Sequence, residues 1–102
     1  MNTILDHLLF CLGEECGEIQ QVAGKAGRFG LDDINPKTQE SNLTEIRKEI
    51  HDLIAIYEML CEECAIDGQI DVVLLAQKKQ RVKQYMDYAR NRGILERMEE
   101  HL

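Results

Sequence analysis

Four acidic side chains stand in two pairs whose spacing suits metal chemistry. Glu15 and Glu18 form one pair, and Glu49 and Asp52 form the other. In a helix, residues three apart lie on the same face, so each pair would present two carboxylates side by side. If two such helices pack antiparallel with these segments level, the four carboxylates converge, and carboxylate oxygens from several chain positions are the ligands that hard divalent cations prefer.

The neighbourhood of Glu15 distinguishes it from an ordinary surface acid. Apart from Glu18, its neighbours on the same helix face are apolar or thiol side chains, namely Leu8, Cys11, Leu12, Ile19 and Val22. A buried carboxylate without a partner is unfavourable, so Glu15 needs a cation, a proton or a metal if this face is buried. Acid pairs at this spacing are also common on solvated helices, so surface charge stays open as the alternative.

Apolar side chains that recur every three or four residues predict the two helices that carry these acids. The first is expected over residues 3–25, and the second from Asn42 to about Cys64. Asn42 can cap the free amides of the second helix, and Glu45 completes a capping-box pattern. A polar, turn-rich loop at about residues 26–41 joins them, and it is either a functional loop, such as a lid over the site, or a surface excursion.

A third helix is expected from Val72 to about Asn91, with Asp71 as its N-cap, and residues 94–102 are expected to form a short frayed helix. The side chains expected to be buried on the third helix are Val72, Leu75, Val82, Met86 and Ala89. The expected fold class is all-α, with residues 1–102 as a single helical domain. A bundle of three to four helices completed by homo-oligomerisation is expected, because a chain of this length has only a modest core.

The composition argues against several classes of protein. The 102 residues carry a formal charge of −7 at pH 7, and an acidic chain repels phosphate backbones, so we expect no nucleic-acid partner. No apolar run approaches the length of a membrane span, so no membrane partner is expected. No secretory signal pattern is recognisable, which predicts a cytoplasmic protein with free thiols. A nucleotide substrate would need metal cations to neutralise both itself and the site.

Four cysteines offer a different metal chemistry. Cys61 and Cys64 form a CxxC pair, and Cys11 and Cys16 could complete a four-thiolate zinc site. Both pairs fall inside predicted helices rather than on knuckle-like turns, and the spacing of the first pair is poor. Plain thiols near the core are therefore the favoured interpretation.

The acid pairs belong to a longer pattern that resembles a known family. Residues 14–18 read EECGE, an EExxE pattern, and residues 49–52 read EIHD, an ExxD pattern. This order of motifs on successive helices resembles the MazG-like all-α nucleoside triphosphate pyrophosphohydrolases. Residues 24–33 and 78–88 are similar to short MazG-like proteins often found in phages, so the resemblance covers most of the chain.

The resemblance implies a Mg²⁺-dependent reaction in which an NTP or dNTP and water give an NMP and pyrophosphate. It implies metal ligands at Glu15, Glu18, Glu49 and Asp52, with Mn²⁺ as the alternative ion. Glu14 and Glu15 are the catalytic candidates, and Glu14 is expected nearer the helix surface, where it could orient water. A homodimer or homotetramer is implied, with the substrate pocket formed partly by a neighbouring chain.

Basic side chains are expected to hold the phosphates of the substrate. A KxxK-type pattern after ExxD is frequent in the family, and Lys78 and Arg81 match it. Lys25 and Arg28, just past the first predicted helix, are further substrate-binding candidates. Val82 stands where some members have an asparagine, and this departure favours the alternative function, a non-catalytic dimeric helical interaction module derived from the same fold.

Overall fold

The computed structural model describes residues 3–96, which form three α-helices and no β-strand within that range. α1 spans Ile4–Phe29, α2 spans Asn42–Glu63 and α3 spans Val72–Asn91. The all-α prediction is therefore confirmed. None of these three helices is both long and apolar enough to cross a membrane.

α1 begins with a reciprocal cap and runs past its predicted end. The Thr3 hydroxyl accepts a hydrogen bond from the Asp6 amide, and the Thr3 amide donates to the Asp6 carboxylate, both at 3.1 Å. These bonds satisfy amides that have no partner inside the helix. The helix continues to Phe29 because Ala26 packs into the core. It ends at Gly30, whose φ of 95° is a conformation that glycine adopts without a Cβ clash.

α2 begins at Asn42 as predicted, but a different residue caps it. The N-cap is Ser41, whose hydroxyl accepts a hydrogen bond from the Thr44 amide at 3.1 Å. Asn42 is buried, and its side-chain amide donates to the Gly30 carbonyl oxygen at 2.8 Å. Glu45 bonds to side chains outside α2 instead of completing a capping box. The capping prediction was wrong because tertiary contacts engage both side chains.

α1 and α2 pack as an antiparallel pair within the first compact unit of the chain, Met1–Gly68. Lys25, near the end of α1, contacts Glu45, near the start of α2. The acids of EExxE, earlier on α1, lie with those of ExxD, later on α2. Among the described residues, the buried hydrophobic side chains are few: Leu8, Ala26 and Cys61. The pair therefore has a small core of its own.

Residues 30–41 connect α1 to α2, so the connection starts later than the predicted loop over 26–41. Its backbone is held against the start of α2, where the Leu43 amide donates to the Leu31 carbonyl oxygen at 3.0 Å. Ile34 also forms an isolated antiparallel bridge with the residue that precedes α2. These bonds tie the connection to the start of α2.

α3 has the predicted range and the predicted cap. The Asp71 carboxylate accepts hydrogen bonds from the amides of Val73 and Leu74 at 2.9 and 3.3 Å. Gly93, with a φ of 75°, follows the end of the helix. Residues 94–96 are not helical, and the remainder of the predicted terminal helix lies outside the described residues.

The apolar side chains of α3 are less buried than predicted. Ala89 is half-buried, whereas the other four expected core residues are exposed: Val72, Leu75, Val82 and Met86. α3 lies in the second compact unit, Gln69–Leu102, where it is the one helix among the described residues. The prediction that the apolar side chains of α3 are buried was therefore wrong for four of the five residues in the single chain. A helix that is alone in its unit cannot cover its own apolar stripe.

Candidate metal centre

Four carboxylates from α1 and α2 converge in the first compact unit. One oxygen from each of Glu15, Glu18, Glu49 and Asp52 lies within 4.8 Å of the corresponding oxygens of the other three. Each helix contributes a pair with i, i+3 spacing, and antiparallel packing brings the two pairs level. Residues 3–96 hold no other such group of three or more His, Cys, Asp or Glu side chains. The structure thus brings together all four predicted ligands.

The four side chains differ in their access to solvent. Glu15 and Glu49 are half-buried, and Glu18 and Asp52 are exposed. The Oε2 atoms of Glu15 and Glu49 are buried and have no hydrogen-bond partner. Leaving a buried acceptor unsatisfied is unfavourable, and more so when the acceptor is charged. These two oxygens distinguish the cluster from ordinary surface acids, and a cation between the helices would satisfy both.

The pKa values of two of the four acids, Glu49 and Glu15, are raised. A hydrogen bond with Glu18, then burial and the charges of Glu18, Asp52 and Glu15, raise the pKa of Glu49 to about 7. Burial, followed by the charges of Glu18 and Asp52, raises the pKa of Glu15. A divalent cation at this cluster would therefore compete with a proton for Glu49 near neutral pH, and either of them would reduce the repulsion among the carboxylates.

Two other polar residues of the motifs stand outside this cluster. Glu14 is exposed and is not one of the four converging carboxylates, although its charge contributes to the raised pKa of Glu15. This exposed position agrees with the expectation for Glu14, whose catalytic role stays a prediction. His51 is also exposed, and its Nδ1 lies 2.7 Å from the carbonyl oxygen of Arg47.

The predicted phosphate-binding residues fall on two different helices. Lys25 and Arg28 lie on α1, where they and two neighbouring side chains line a surface cavity of about 270 Å³. Lys78 and Arg81 lie exposed on α3, in the second compact unit. Arg81 and three glutamines line an open depression of about 440 Å³ on that helix. Arg28, Lys78 and Arg81 are therefore exposed to solvent, whereas Lys25 is half-buried.

Glu45 has a role that the sequence pattern did not indicate. Its carboxylate accepts hydrogen bonds from Lys25 at 2.5 Å, Asn35 at 3.0 Å and Thr38 at 3.5 Å. The bonds with Lys25 and Asn35 lower the pKa of Glu45. The network joins α1, the connection and α2. Lys25 and Glu45 are 20 positions apart, and their pairing depends on the register of two helices, which a local sequence pattern does not reveal.

The thiols form no metal site in the described part of the chain. Cys61 is buried, Cys11 is half-buried, Cys16 and Cys64 are exposed, and all four are free. None of them belongs to a group of potential metal ligands among residues 3–96. Gly68 lies so close to Cys61 that an added Cβ would be 3.1 Å from the Cβ of the cysteine. This arrangement agrees with the interpretation of the cysteines as plain thiols.

Comparisons with known proteins assign no family to this chain. No protein-family model matches it, and no curated protein or solved structure shows a significant match. The resemblance to MazG-like pyrophosphohydrolases therefore depends on the acid motifs and on the stretches of sequence around them. Any function must be argued from these residues and from the geometry of the cluster.

Proposed function

We propose that this protein is a divalent-cation-dependent nucleoside triphosphate pyrophosphohydrolase. The observation that carries the proposal is the convergence of four carboxylates in which two buried oxygens, Glu15 Oε2 and Glu49 Oε2, have no partner. This cluster supports the binding of a hard cation. The choice of reaction is supported by the resemblance of EExxE and ExxD to the MazG-like enzymes.

The reaction joins water to the α-phosphorus of an NTP or dNTP. The bond between the α-phosphorus and the bridging oxygen breaks, and the electron pair of that bond leaves with pyrophosphate. The oxygen of water becomes part of the NMP, and its proton passes to solvent. Without a bound cation, the acidic chain, with its formal charge of −7, would repel the triphosphate. We therefore propose that the cation binds before the substrate.

The four acids of the cluster have different proposed roles, which follow from how buried each side chain is. Glu15 and Glu49, half-buried, would hold Mg²⁺, or Mn²⁺ in its place, between the helices, and the exposed Glu18 and Asp52 would complete the ligand set on the solvent side. When bound, the cation supplies charge neutralisation for the phosphates and lowers the pKa of a coordinated water. Glu14, exposed one position before Glu15, would orient the attacking water.

We also propose that the active form is a homodimer or homotetramer. Large apolar side chains stay exposed in the single chain, including Val72 at 73%, Leu74 at 63% and Tyr85 at 72% on α3. Large apolar side chains left exposed on a helix are usually covered by another protein surface. Lys78 and Arg81 lie on the same helix and are proposed to contact phosphate. A cytoplasmic location belongs to the proposal, because four free thiols suit a reducing compartment.

A non-catalytic helical interaction module is the second candidate function. The observation in its favour is the exposed apolar surface of α3, on which Val82 replaces the asparagine of some MazG-like proteins. The buried, unpartnered oxygens of Glu15 and Glu49 count against it. A module without a metal would gain stability by replacing these acids with neutral side chains.

Incubation of the purified protein with Mg²⁺ and a panel of NTPs and dNTPs tests the two candidates. Monophosphate and pyrophosphate are measured separately, alongside Glu15→Gln, Asp52→Asn and the control Glu62→Gln, an exposed acid of α2 outside the cluster. We expect pyrophosphate release from the wild type and the control, and a loss of about 100-fold or more in both cluster variants. No release from any triphosphate by folded protein, with no stabilisation by Mg²⁺, would leave the interaction module as the better account.

A further inference from the structure

A surface cavity on α1 begins beside the acid cluster. It is lined by Gln21, Val22, Lys25 and Arg28 and has a volume of about 270 Å³. Gln21, Lys25 and Arg28 continue the helix face of Glu18 at steps of three, four and three residues. At 1.5 Å per residue, Gln21 lies about 5 Å and Lys25 about 10 Å along the axis from Glu18. Glu18, Lys25 and Arg28 therefore follow one another along the same side of α1.

Lys25 is not a free cation in this cavity. Its ammonium group lies 2.5 Å from the carboxylate of Glu45, and the side chains of Lys25 and Glu45 retain 31% and 14% of their exposure. Glu45 also accepts a hydrogen bond from Asn35 in the connection. Moving Lys25 to a phosphate would leave a largely buried carboxylate without its cation, which is unfavourable. Lys25 therefore neutralises Glu45 and fixes α1 against α2.

Arg28, by contrast, has no acidic partner within residues 3–96. Its guanidinium carbon lies 5.7 Å from the centroid of the Phe29 ring, and a Cβ added at Gly24 would lie 3.5 Å from its Nη1. The side chain thus folds back along α1 toward the helix N-terminus, as helical side chains do. This direction brings the guanidinium level with Gly24, about 9 Å along the axis from Glu18.

We propose that Arg28 binds the pyrophosphate portion of the substrate, whereas Lys25 is a positioning residue held by Glu45. The inference rests on the proposed hydrolysis, because that reaction leaves pyrophosphate beside the acid cluster. A guanidinium presents two parallel N–H donors that match two phosphate oxygens, and its charge is not compensated by a neighbouring acid. The leaving group takes the electron pair of the broken bond, so a cation placed there stabilises the departing charge.

Binding of inorganic pyrophosphate in the presence of Mg²⁺ tests this division of roles by calorimetry. We expect Arg28→Ala to raise the Kd for pyrophosphate by about 10- to 100-fold, with Arg28→Lys between it and the wild type. Lys37→Ala, which removes the same charge from an exposed site in the connection, should leave the Kd unchanged. Hydrolysis assays should give a lower kcat as well as a higher KM for Arg28→Ala, because the departing charge loses its cation. The stabilisation by Mg²⁺ should stay close to that of the wild type, because the four carboxylates are unchanged.

Lys25 needs a variant that keeps the fold intact. Lys25→Met alone should lower the Tm, because Glu45 loses its cation, and the double variant Lys25→Met with Glu45→Gln should recover it. The double variant should bind pyrophosphate within about threefold of the wild type. The inference is overturned if Arg28→Ala binds pyrophosphate as the wild type does, if the double variant loses binding, or if the wild type does not bind it. Failure of the proposed function is separate, since it is the absence of hydrolysis of any triphosphate by the wild type.

Discussion

Glu18 on α1 and Glu49 on α2 lie within hydrogen-bonding reach of each other, and this contact is the largest cause of the raised pKa of Glu49. The contact joins the two acid motifs across the helix pair. Without a cation, a proton on Glu49 reduces the repulsion among the four carboxylates. The stability of the metal-free protein is therefore coupled to pH through Glu49, and a cation bound by the cluster would act on the same group.

The metal-free protein should lose stability as the pH rises from about 5 to about 8. The pKa of Glu49 is raised from 4.5 in the unfolded chain to about 7 in the folded protein. Its contribution to stability is fully present below pH 4.5 and is lost as the pH rises through 7, because the folded state then loses the proton it binds more tightly. Thermal melts in a chelating buffer should show the Tm falling by a few degrees across this range.

Glu49→Gln is the control for this pH dependence. The variant cannot titrate at this position, so the difference between its Tm and that of the wild type should widen with pH between 5 and 8. The pKa of Glu45 is lowered, so its contribution to stability is present above pH 4.5 and is lost only as the pH falls below that value. Glu45 therefore does not contribute to the change between pH 5 and 8. A difference that stays constant across the range would contradict the raised pKa.

Mg²⁺ should stabilise the wild type and should fail to stabilise Glu15→Gln. A ligand that binds the native state alone adds about 2.7 kcal/mol to the free energy of unfolding at a hundred times its Kd. Glu15→Gln removes one of the four ligands and part of the charge that attracts the cation. Glu62→Gln, outside the cluster, should respond as the wild type does. Differential scanning calorimetry at increasing Mg²⁺ measures the effect, and equal shifts in all three proteins would exclude the cluster as the binding site.

Gly30→Ala and Gly27→Ala should change stability in opposite directions. Gly30 has φ 95° and ψ 154°, and an added Cβ would lie 2.9 Å from the Asp32 carboxylate. Backbone strain in this region costs about 1–3 kcal/mol for residues other than glycine. Gly27 lies inside α1 with no atom within 4 Å of an added Cβ, so alanine should add about 0.5–1 kcal/mol. Urea unfolding of both variants compares them directly, and a neutral Gly30→Ala would argue against the observed end of α1.

Asn42→Ala should destabilise the first compact unit. Asn42 is 1% exposed, and its side chain donates to the Gly30 carbonyl oxygen at 2.8 Å. Removing the donor leaves a carbonyl without its partner at the end of α1, which costs about 1–3 kcal/mol. Leu43→Ala, at a neighbouring position that is 56% exposed, should change stability by less than about 0.5 kcal/mol. Equal effects of both changes in urea unfolding would refute the anchoring role of Asn42.

The homo-oligomer can be tested through the apolar stripe of α3. The chain mass is 11.8 kDa, and sedimentation equilibrium should give two or four times that value for the wild type. Val82→Glu and Met86→Glu place charges on the exposed apolar stripe and should shift the mass toward one chain, because burying an unpaired carboxylate at an interface is unfavourable. Lys83→Glu, one position along, should keep the oligomer. A wild type that sediments as a single chain would refute the proposed assembly.

Local sequence patterns determined the helices of this protein. The recurrence of apolar side chains placed α3 at Val72–Asn91, and the carboxylate of Asp71 caps it as expected. Periodicity and capping are local properties, since they depend on residues within one or two turns. The spacing of Glu15 with Glu18 and of Glu49 with Asp52 also predicted that each pair shares a face, and the structure brings these pairs together.

The tertiary structure alone decided which side chains meet across the helix pair. Asn42 and Glu45 carry a capping pattern in the sequence, yet Asn42 anchors Gly30 and Glu45 binds Lys25. The same packing gives Lys25 an acidic partner and leaves Arg28 without one among residues 3–96, although the two residues were equal candidates from the sequence. The physical reason is that register, burial and the direction of a side chain depend on groups far along the chain. A carboxylate or an ammonium group takes its partner from that environment and not from its sequence neighbours.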